Sequence, residues 1–211
     1  MSKENENWLE AVYTAKTEAE LEKGYDDWAE AYDQDLMRYG YRLPLLSAGL
    51  VERHVRDLNG PILDAGCGTG LIGENLQALS YGHLEGLDLS EQMLAVAKSK
   101  GAYKALYKMR LGDPLKLPDA HYSAVVSMGT FTVGHAGPEG FDELVRITRP
   151  NGHLIISIRT DINPNNPHLD RLNEFEAEGR LKRVETSREI VTMPWEDASV
   201  RNTVYVFSRP A

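Results

Sequence analysis

The chain of 211 residues has a single cysteine, Cys67, and fewer basic than acidic side chains, 23 Lys and Arg against 32 Asp and Glu. It also lacks any apolar run near the roughly 18 residues that a bilayer-spanning helix needs. One thiol forms no internal disulfide and no cysteine zinc cluster, and it suits a reducing compartment. The lack of an apolar run argues against a membrane partner, and the polar start from Met1 to Asn7 does not read as a signal peptide. A cytoplasmic protein is expected. The formal charge of −9 offers no basic face to a duplex, so nucleic acid is not an expected partner. With 42% apolar residues spread along its length, the chain has the material for one compact domain.

Residues 2–17 are mostly polar around a small apolar cluster, Trp8, Leu9, Val12 and Tyr13, and read as a loosely held arm. Tyr25, Trp28, Ala29, Tyr32 and Leu36 then recur at helical spacing, which aligns three large rings on one face. A second helical stripe, Leu46, Leu50, Val51, Val55 and Leu58, stops at Asn59-Gly60-Pro61. Residues 1–58 therefore read as an arm and helical lid, and residues 59–211 as the core. In the core, short apolar strands alternate with amphipathic helices, the one-dimensional signature of a parallel sheet covered by helices.

Strands are predicted at Pro61–Asp64, Leu84–Asp88, Tyr107–Leu111, Ala124–Met128 and His153–Arg159, followed by closing strands at Val184–Met193 and Thr203–Phe207. The last two have no room for a crossover helix between them and should pair antiparallel. Ser90 is placed to cap the helix marked by Met93, Leu94 and Ala97, and Pro138 to open the one marked by Phe141, Leu144 and Val145. Residues 162–168, with two prolines and three asparagines, read as a loop ahead of a short helix at Leu172 and Phe175. The whole reads as an α/β, Rossmann-like doubly wound fold. Its sheet is mostly parallel and seven-stranded with an antiparallel closing strand, and an N-terminal helical lid precedes it.

A strand ending at Asp64, the turn Ala65-Gly66-Cys67-Gly68-Thr69-Gly70 and a helix from Leu71 put backbone amides at the carboxyl edge of the sheet, where open α/β folds bind ligands. A dinucleotide turn carries its third glycine or an alanine at the position of Leu71, whereas here the glycine is Gly70. Asp64 adds negative charge near the turn, which repels a pyrophosphate and suits a ligand bearing an ammonium and a sulfonium. Asp88 ends the next strand, where a carboxylate accepts the hydroxyl hydrogens of a ribose. Asp113, in the turn Leu111-Gly112-Asp113-Pro114, can accept from an adenine amino group at the same edge.

These segments, Leu63–Gly70, Gly86–Ser90, Leu111–Asp113 and Arg149–His153, resemble the ordered motifs of class I S-adenosylmethionine-dependent methyltransferases over residues 25–208. Tyr25–Asp35, Tyr41–Pro44 and Arg159-Thr160 further resemble the Williams–Beuren-region methyltransferase-like proteins. The resemblance implies S-adenosylmethionine as cofactor and no metal. It implies that the backbone of Gly66 and Gly68 faces the methionine part, Asp88 the ribose, Leu89 and Met93 the adenine surroundings, and Asp113, flanked by Gly112 and Pro114, the adenine amino group. Met128 would touch the ligand from the fourth strand, with Cys67 a space-filling thiol beside it. Gly152 is followed by His153 where the motif usually has a second glycine, so that turn should be packed differently.

Methyl transfer asks a protein mainly to align the acceptor and exclude water. Tyr25, Trp28 and Tyr32 offer ring faces to a sulfonium, with core packing the plain alternative for each and the stronger one for Trp28. Arg42 is a candidate for the cofactor carboxylate, against the ordinary reading of a surface arginine. Gly129–Gly137 forms a glycine-rich loop at the active edge. Histidine is the side chain that titrates near neutrality, so His135 is the base candidate, with Tyr32 as the second catalytic candidate. Thr160 and Asp161 read as the start of the loop that follows them, with a place facing the acceptor pocket as the weaker alternative. The leading expectation is a methyltransferase for a small-molecule acceptor, as a monomer or weak dimer. The alternatives are a protein methyltransferase and a non-catalytic module that binds the cofactor or its demethylated product.

Overall fold

The computed structural model describes residues 8–132, 134–161 and 165–211. The sheet strands are β1 (Ile62–Ala65), β2 (Leu84–Asp88), β3 (Ala105–Lys108), β4 (Tyr122–Phe131), β5 (Thr148–Arg159), β6 (Lys182–Thr186), β7 (Ile190–Met193) and β8 (Asp197–Ser208). Their order is β3-β2-β1-β4-β5-β8-β6, with β7 also on β8. β1 is buried at all four residues, as a parallel strand covered on both faces must be. Its neighbours β2 and β4 run parallel to it, and β8 runs antiparallel to β5.

Alternate residues of the central strands feed two separate cores. Leu63, Val125, Leu154, Ile156 and Phe207 join α7 (Gly140–Ile147) and α8 (Pro167–Ala177) on one face. Ile62, Ala124, Val126, Ile155 and Val206 join α4 (Leu43–His54) and α5 (Leu71–Ala78) on the other. That strict period of two gives the doubly wound architecture expected from the sequence. Ser90 caps α6 (Glu91–Lys100), its Oγ accepting the Met93 N–H at 3.1 Å.

Several boundaries differ from the sequence reading. The predicted strand Val184–Met193 is broken into β6 and β7, because the Ser187 hydroxyl accepts the Val204 N–H at 2.9 Å and interrupts the ladder. β6 and β7 pair with the edge of β8 that faces away from β5, so eight strands occupy seven positions. β8 starts at Asp197, earlier than Thr203, because its polar first half pairs with β7. β3 ends at Lys108, short of Leu111, and Pro138 lies two residues ahead of α7. Met1–Asn7, Val133 and Ile162–Pro164, for which polar, loop and loop readings were made, lie outside the described residues.

The N-terminal segment also departs from a loose arm. α1 (Trp8–Thr14) packs Val12 into a cluster with Leu21, Trp28 and Leu36, and Thr17 caps α2 (Glu18–Trp28). The aromatic stripe from Tyr25 to Leu36, read as one helix, breaks between α2 and α3 (Tyr32–Tyr39). There the Trp28 carbonyl accepts the Ala31 N–H at 3.0 Å and the Trp28 indole N–H reaches across the break to Asp35 at 2.8 Å.

Candidate active site

The carboxyl ends of β1, β2 and β4 open on a cavity of about 270 Å³. Gly66 and Gly68 form its floor with Asp88, Leu89 and Met93. Met128, Gly129 and Thr130 form one side, and Tyr25, Tyr32 and the α1–α2 junction lie over it. Gly66 has φ +82°, and a Cβ there would collide with the Thr130 hydroxyl, so only glycine serves. A register shift between Ser127 and Phe131 lifts the end of β4, and Gly129, at φ +73°, turns that strand into the cavity wall.

The glycine turn is not the row of bare amides the sequence implied. The Gly66 and Cys67 N–H groups both donate to the Leu87 carbonyl at 2.9 Å, and the Gly68 N–H donates to Asp88 Oδ2 at 2.8 Å. At the start of α5, the Gly73 N–H is taken by the Tyr103 hydroxyl at 3.1 Å. The turn therefore offers a ligand close approach and has few donors left for a pyrophosphate.

Asp88 is the carboxylate that faces the cavity. Its Oδ1 accepts the Ser90 N–H at 2.9 Å, which with the Gly68 contact fixes the group while leaving each oxygen a further lone pair. Burial raises its pKa, opposed by the N–H groups of Ser90, Gly68 and Leu89. Asp64 lies beneath the turn, 1% exposed, away from the cavity lining. Its Oδ2 accepts the Tyr103 hydroxyl at 2.6 Å, and its Oδ1 has no partner. Burial pushes its carboxyl up to about 7 against that hydrogen bond, so near neutrality it supplies only part of the negative charge the sequence reading gave it.

Other sequence candidates fall outside the cavity lining. Asp113 is bonded to Arg110 three residues before it, 3.2 Å away, and its side chain is 62% exposed. That local pair forms as the chain leaves β3, and Asp113, Gly112 and Pro114 are not among the residues that line the cavity. Arg42 is exposed and acts through its backbone, its N–H donating to the Thr192 carbonyl at 3.1 Å. Cys67 is buried below the turn, so close to Gly86 that a Cβ there would stand 2.9 Å from its sulfur. Asp161 pairs with Arg159 at 2.9 Å and Thr160 bonds Glu189 at 2.9 Å, neither in this cavity. Trp28 is 1% exposed and belongs to the core.

The structure also joins residues that no sequence spacing connects. Tyr25 OH and His135 Nε2 are hydrogen-bonded at 2.8 Å across 110 residues of chain. Burial raises Tyr25 well above the ordinary phenol, so its hydroxyl stays protonated in this contact. Acidic residues of α2 and α3 strap those helices over the cavity. Asp26 accepts the Ser90 hydroxyl at 2.5 Å and the Gln92 N–H at 3.1 Å, and Asp33 accepts the Thr69 hydroxyl at 2.5 Å. Glu18 and Glu22 pair with Arg110 and Lys108, at 3.0 and 2.8 Å. In sequence these carboxylates look like a solvated helix face. Met109, Arg110 and Thr130, to which the sequence reading assigned no site role, also line the cavity, as does Tyr41.

Residues 63–156 match the profile of the methyltransferase-domain family. Among curated sequences, human methyltransferase-like protein 27 is 36% identical over 143 residues, 65% of this chain and 57% of the human protein. The matches to curated relatives span between 35% and 57% of those proteins' own lengths. Among solved structures, a chain of the complex between the Haloferax volcanii Trm112 methyltransferase activator and a methyltransferase aligns with TM-score 0.67 and 17% identity. That alignment covers 89% of this chain and 98% of that one. A methyltransferase from Thermotoga maritima aligns with TM-score 0.64 and 15% identity, covering 89% and 98%. The matched segment is a methyltransferase domain, and the sheet that carries it has the fold shared with S-adenosylmethionine-dependent methyltransferases, the class this chain resembles. S-adenosylmethionine is the cofactor of that class. The residues of the cavity fit it: the glycine at Gly66 leaves the floor open, a fixed carboxylate with spare acceptor sites stands at Asp88, and apolar walls flank it. Among the described residues, no cluster of metal-ligating side chains occurs and no helix is long and apolar enough to cross a membrane.

Proposed function

We propose that this chain transfers a methyl group from S-adenosylmethionine to a small-molecule acceptor beneath the strapped N-terminal helices, which act as its lid. The observation that carries the cofactor assignment is the hydrogen bonding of the glycine turn. Its amides are turned inward to Leu87 and Asp88, which disfavours a pyrophosphate, while Asp88 keeps acceptor sites for a ribose. The backbone of Gly66 and Gly68 then lies under the methionine part, Leu89, Met93 and Met128 border the adenosine, and Tyr32 faces the sulfonium. Asp113, Gly112, Pro114 and Arg42 have no part in this arrangement. Asp64 contributes from below by holding Tyr103, and Cys67 by filling the space under the turn.

When bound, the cofactor supplies a methyl group already activated by the positive sulfur. The chain's own work is alignment, water exclusion and removal of a proton from an acceptor that arrives protonated. Tyr25 and His135 form a relay for that proton: the phenol oxygen takes it while handing its own hydrogen to Nε2. Incubation with methyl-labelled cofactor and a cell extract should place the label in small products. Label on protein bands would favour a protein methyltransferase, and cofactor binding without any labelled product a non-catalytic module.

A further inference from the structure

Behind the wall formed by Tyr25, Tyr32, Tyr41 and Gly129 lies a second cavity of about 40 Å³, lined in part by those same residues. Its polar end is made by three adjacent strands. Phe131 is in register with Ile158, and Arg159 with Asn202, so Thr132 just past β4, Arg159 at the end of β5 and Asn202 in the middle of β8 stand in a row. Thr132 is 7% exposed and its hydroxyl has no hydrogen-bond partner. A buried hydroxyl without a partner costs roughly 1–3 kcal/mol and calls for an explanation. Arg159 beside it is held in place rather than waving, with Nε and Nη2 on Asp161 at 3.0 and 2.9 Å and the Tyr13 ring 5.0 Å from its Cζ. Thr192 also lines it, its hydroxyl accepting the Asn202 side-chain amide at 3.0 Å, and the remaining lining is apolar or aromatic, including Phe131, Leu43 and Val200.

We infer that this pocket seats the carboxylate of the methyl acceptor, which is a small acid with an apolar or aromatic body. A volume near 40 Å³ admits a few oxygen-sized atoms at roughly 10–15 Å³ each, enough for a carboxylate head and too little for a second large ligand. Thr132 donates its unused hydroxyl to one carboxylate oxygen, and the positioned guanidinium of Arg159 supplies the positive charge. The body of the acid passes the Tyr25, Tyr32 and Tyr41 wall, which brings its reacting atom to the side of the cavity where Tyr25 meets His135. The inference rests on the methyltransferase reading above, because the acceptor must share a wall with the cofactor site.

Calorimetric titration of the protein saturated with S-adenosylhomocysteine tests it, with benzoate and its neutral isostere benzamide as probes. Benzoate should bind at least about tenfold more tightly than benzamide, the factor that corresponds to one hydrogen bond to a charged group. Thr132→Val should erase most of that preference, leave S-adenosylhomocysteine affinity unchanged and melt no lower than the parent, since it removes an unpaired hydroxyl. Arg159→Gln should abolish benzoate binding. Equal binding of the two probes, no binding of either, or a Thr132→Val protein with the benzoate preference intact overturns the inference while the cofactor assignment stands. Failure of S-adenosylhomocysteine itself to bind would instead remove the reading beneath it.

Discussion

Asp88 and Asp64, two aspartates at the ends of neighbouring strands, are put to different uses by their surroundings. Asp88 is held by backbone N–H groups and faces the cavity, so Asp88→Ala should weaken cofactor binding by about 10- to 100-fold, the equivalent of roughly 1.5–3 kcal/mol for hydrogen bonds to a charged group. Equilibrium titration with S-adenosylhomocysteine checks this, and an unchanged affinity would remove Asp88 from the site. Asp64 is raised from 3.8 to about 7 by burial, so below pH 4 it is protonated in both folded and unfolded chains and its contribution to stability is present in full. Between pH 4 and 7 the unfolded chain gives up that proton first, and the contribution, about 4 kcal/mol, is lost as pH rises through 7. Asp64→Asn should therefore gain stability relative to the parent across that window, read from urea midpoints at pH 4, 5.5 and 7. A constant difference would contradict the assignment. Asp88 was legible from its place at a strand end. The burial of Asp64 was not, because it depends on Tyr103, 39 residues away.

At the scale of elements, the helices over the cavity are held by polar contacts that a hydrophobic pattern cannot report. The β2 boundaries and the Ser90 cap were readable because an apolar run ending in Asp-Leu-Ser carries its own stop and start signals. The straps were not, since Asp26, Asp33, Glu18 and Glu22 carry the same residue types as any solvated face. Asp113 was placed at the cavity by its spacing, whereas in the structure it pairs with Arg110 three residues earlier and does not line the cavity. Ser90 serves two elements, capping α6 and donating to Asp26 of α2. Ser90→Ala should lower stability by about 1–2 kcal/mol, in the range for a lost N-cap, and shift the urea midpoint accordingly. Asp26→Ala leaves the cap in place and should speed amide exchange in α2 while β1 and β4 exchange as before. Uniform acceleration would mean that α2 is not separately strapped.

For the molecule as a whole, the alternation of short apolar strands with amphipathic helices was visible in the sequence, and with it the doubly wound class. The division of the last hairpin into β6, β7 and β8 was not, because Asp197–Arg201 pair at an edge and carry no apolar alternation. The pocket proposed for the acceptor was equally illegible, being built from Thr132 just past β4, Arg159 of β5 and Asn202 of β8. A ligand that binds only the folded chain stabilises all of it at once. At a hundredfold excess over its dissociation constant, S-adenosylhomocysteine should add about 2.7 kcal/mol, or roughly 5–10 °C of melting temperature for a chain of this size. The most direct test of the central claim is calorimetric titration with S-adenosylmethionine, S-adenosylhomocysteine and NAD. Saturable heat with the first two and none with NAD is the predicted result. No heat with either S-adenosyl ligand, or binding of NAD alone, would contradict it.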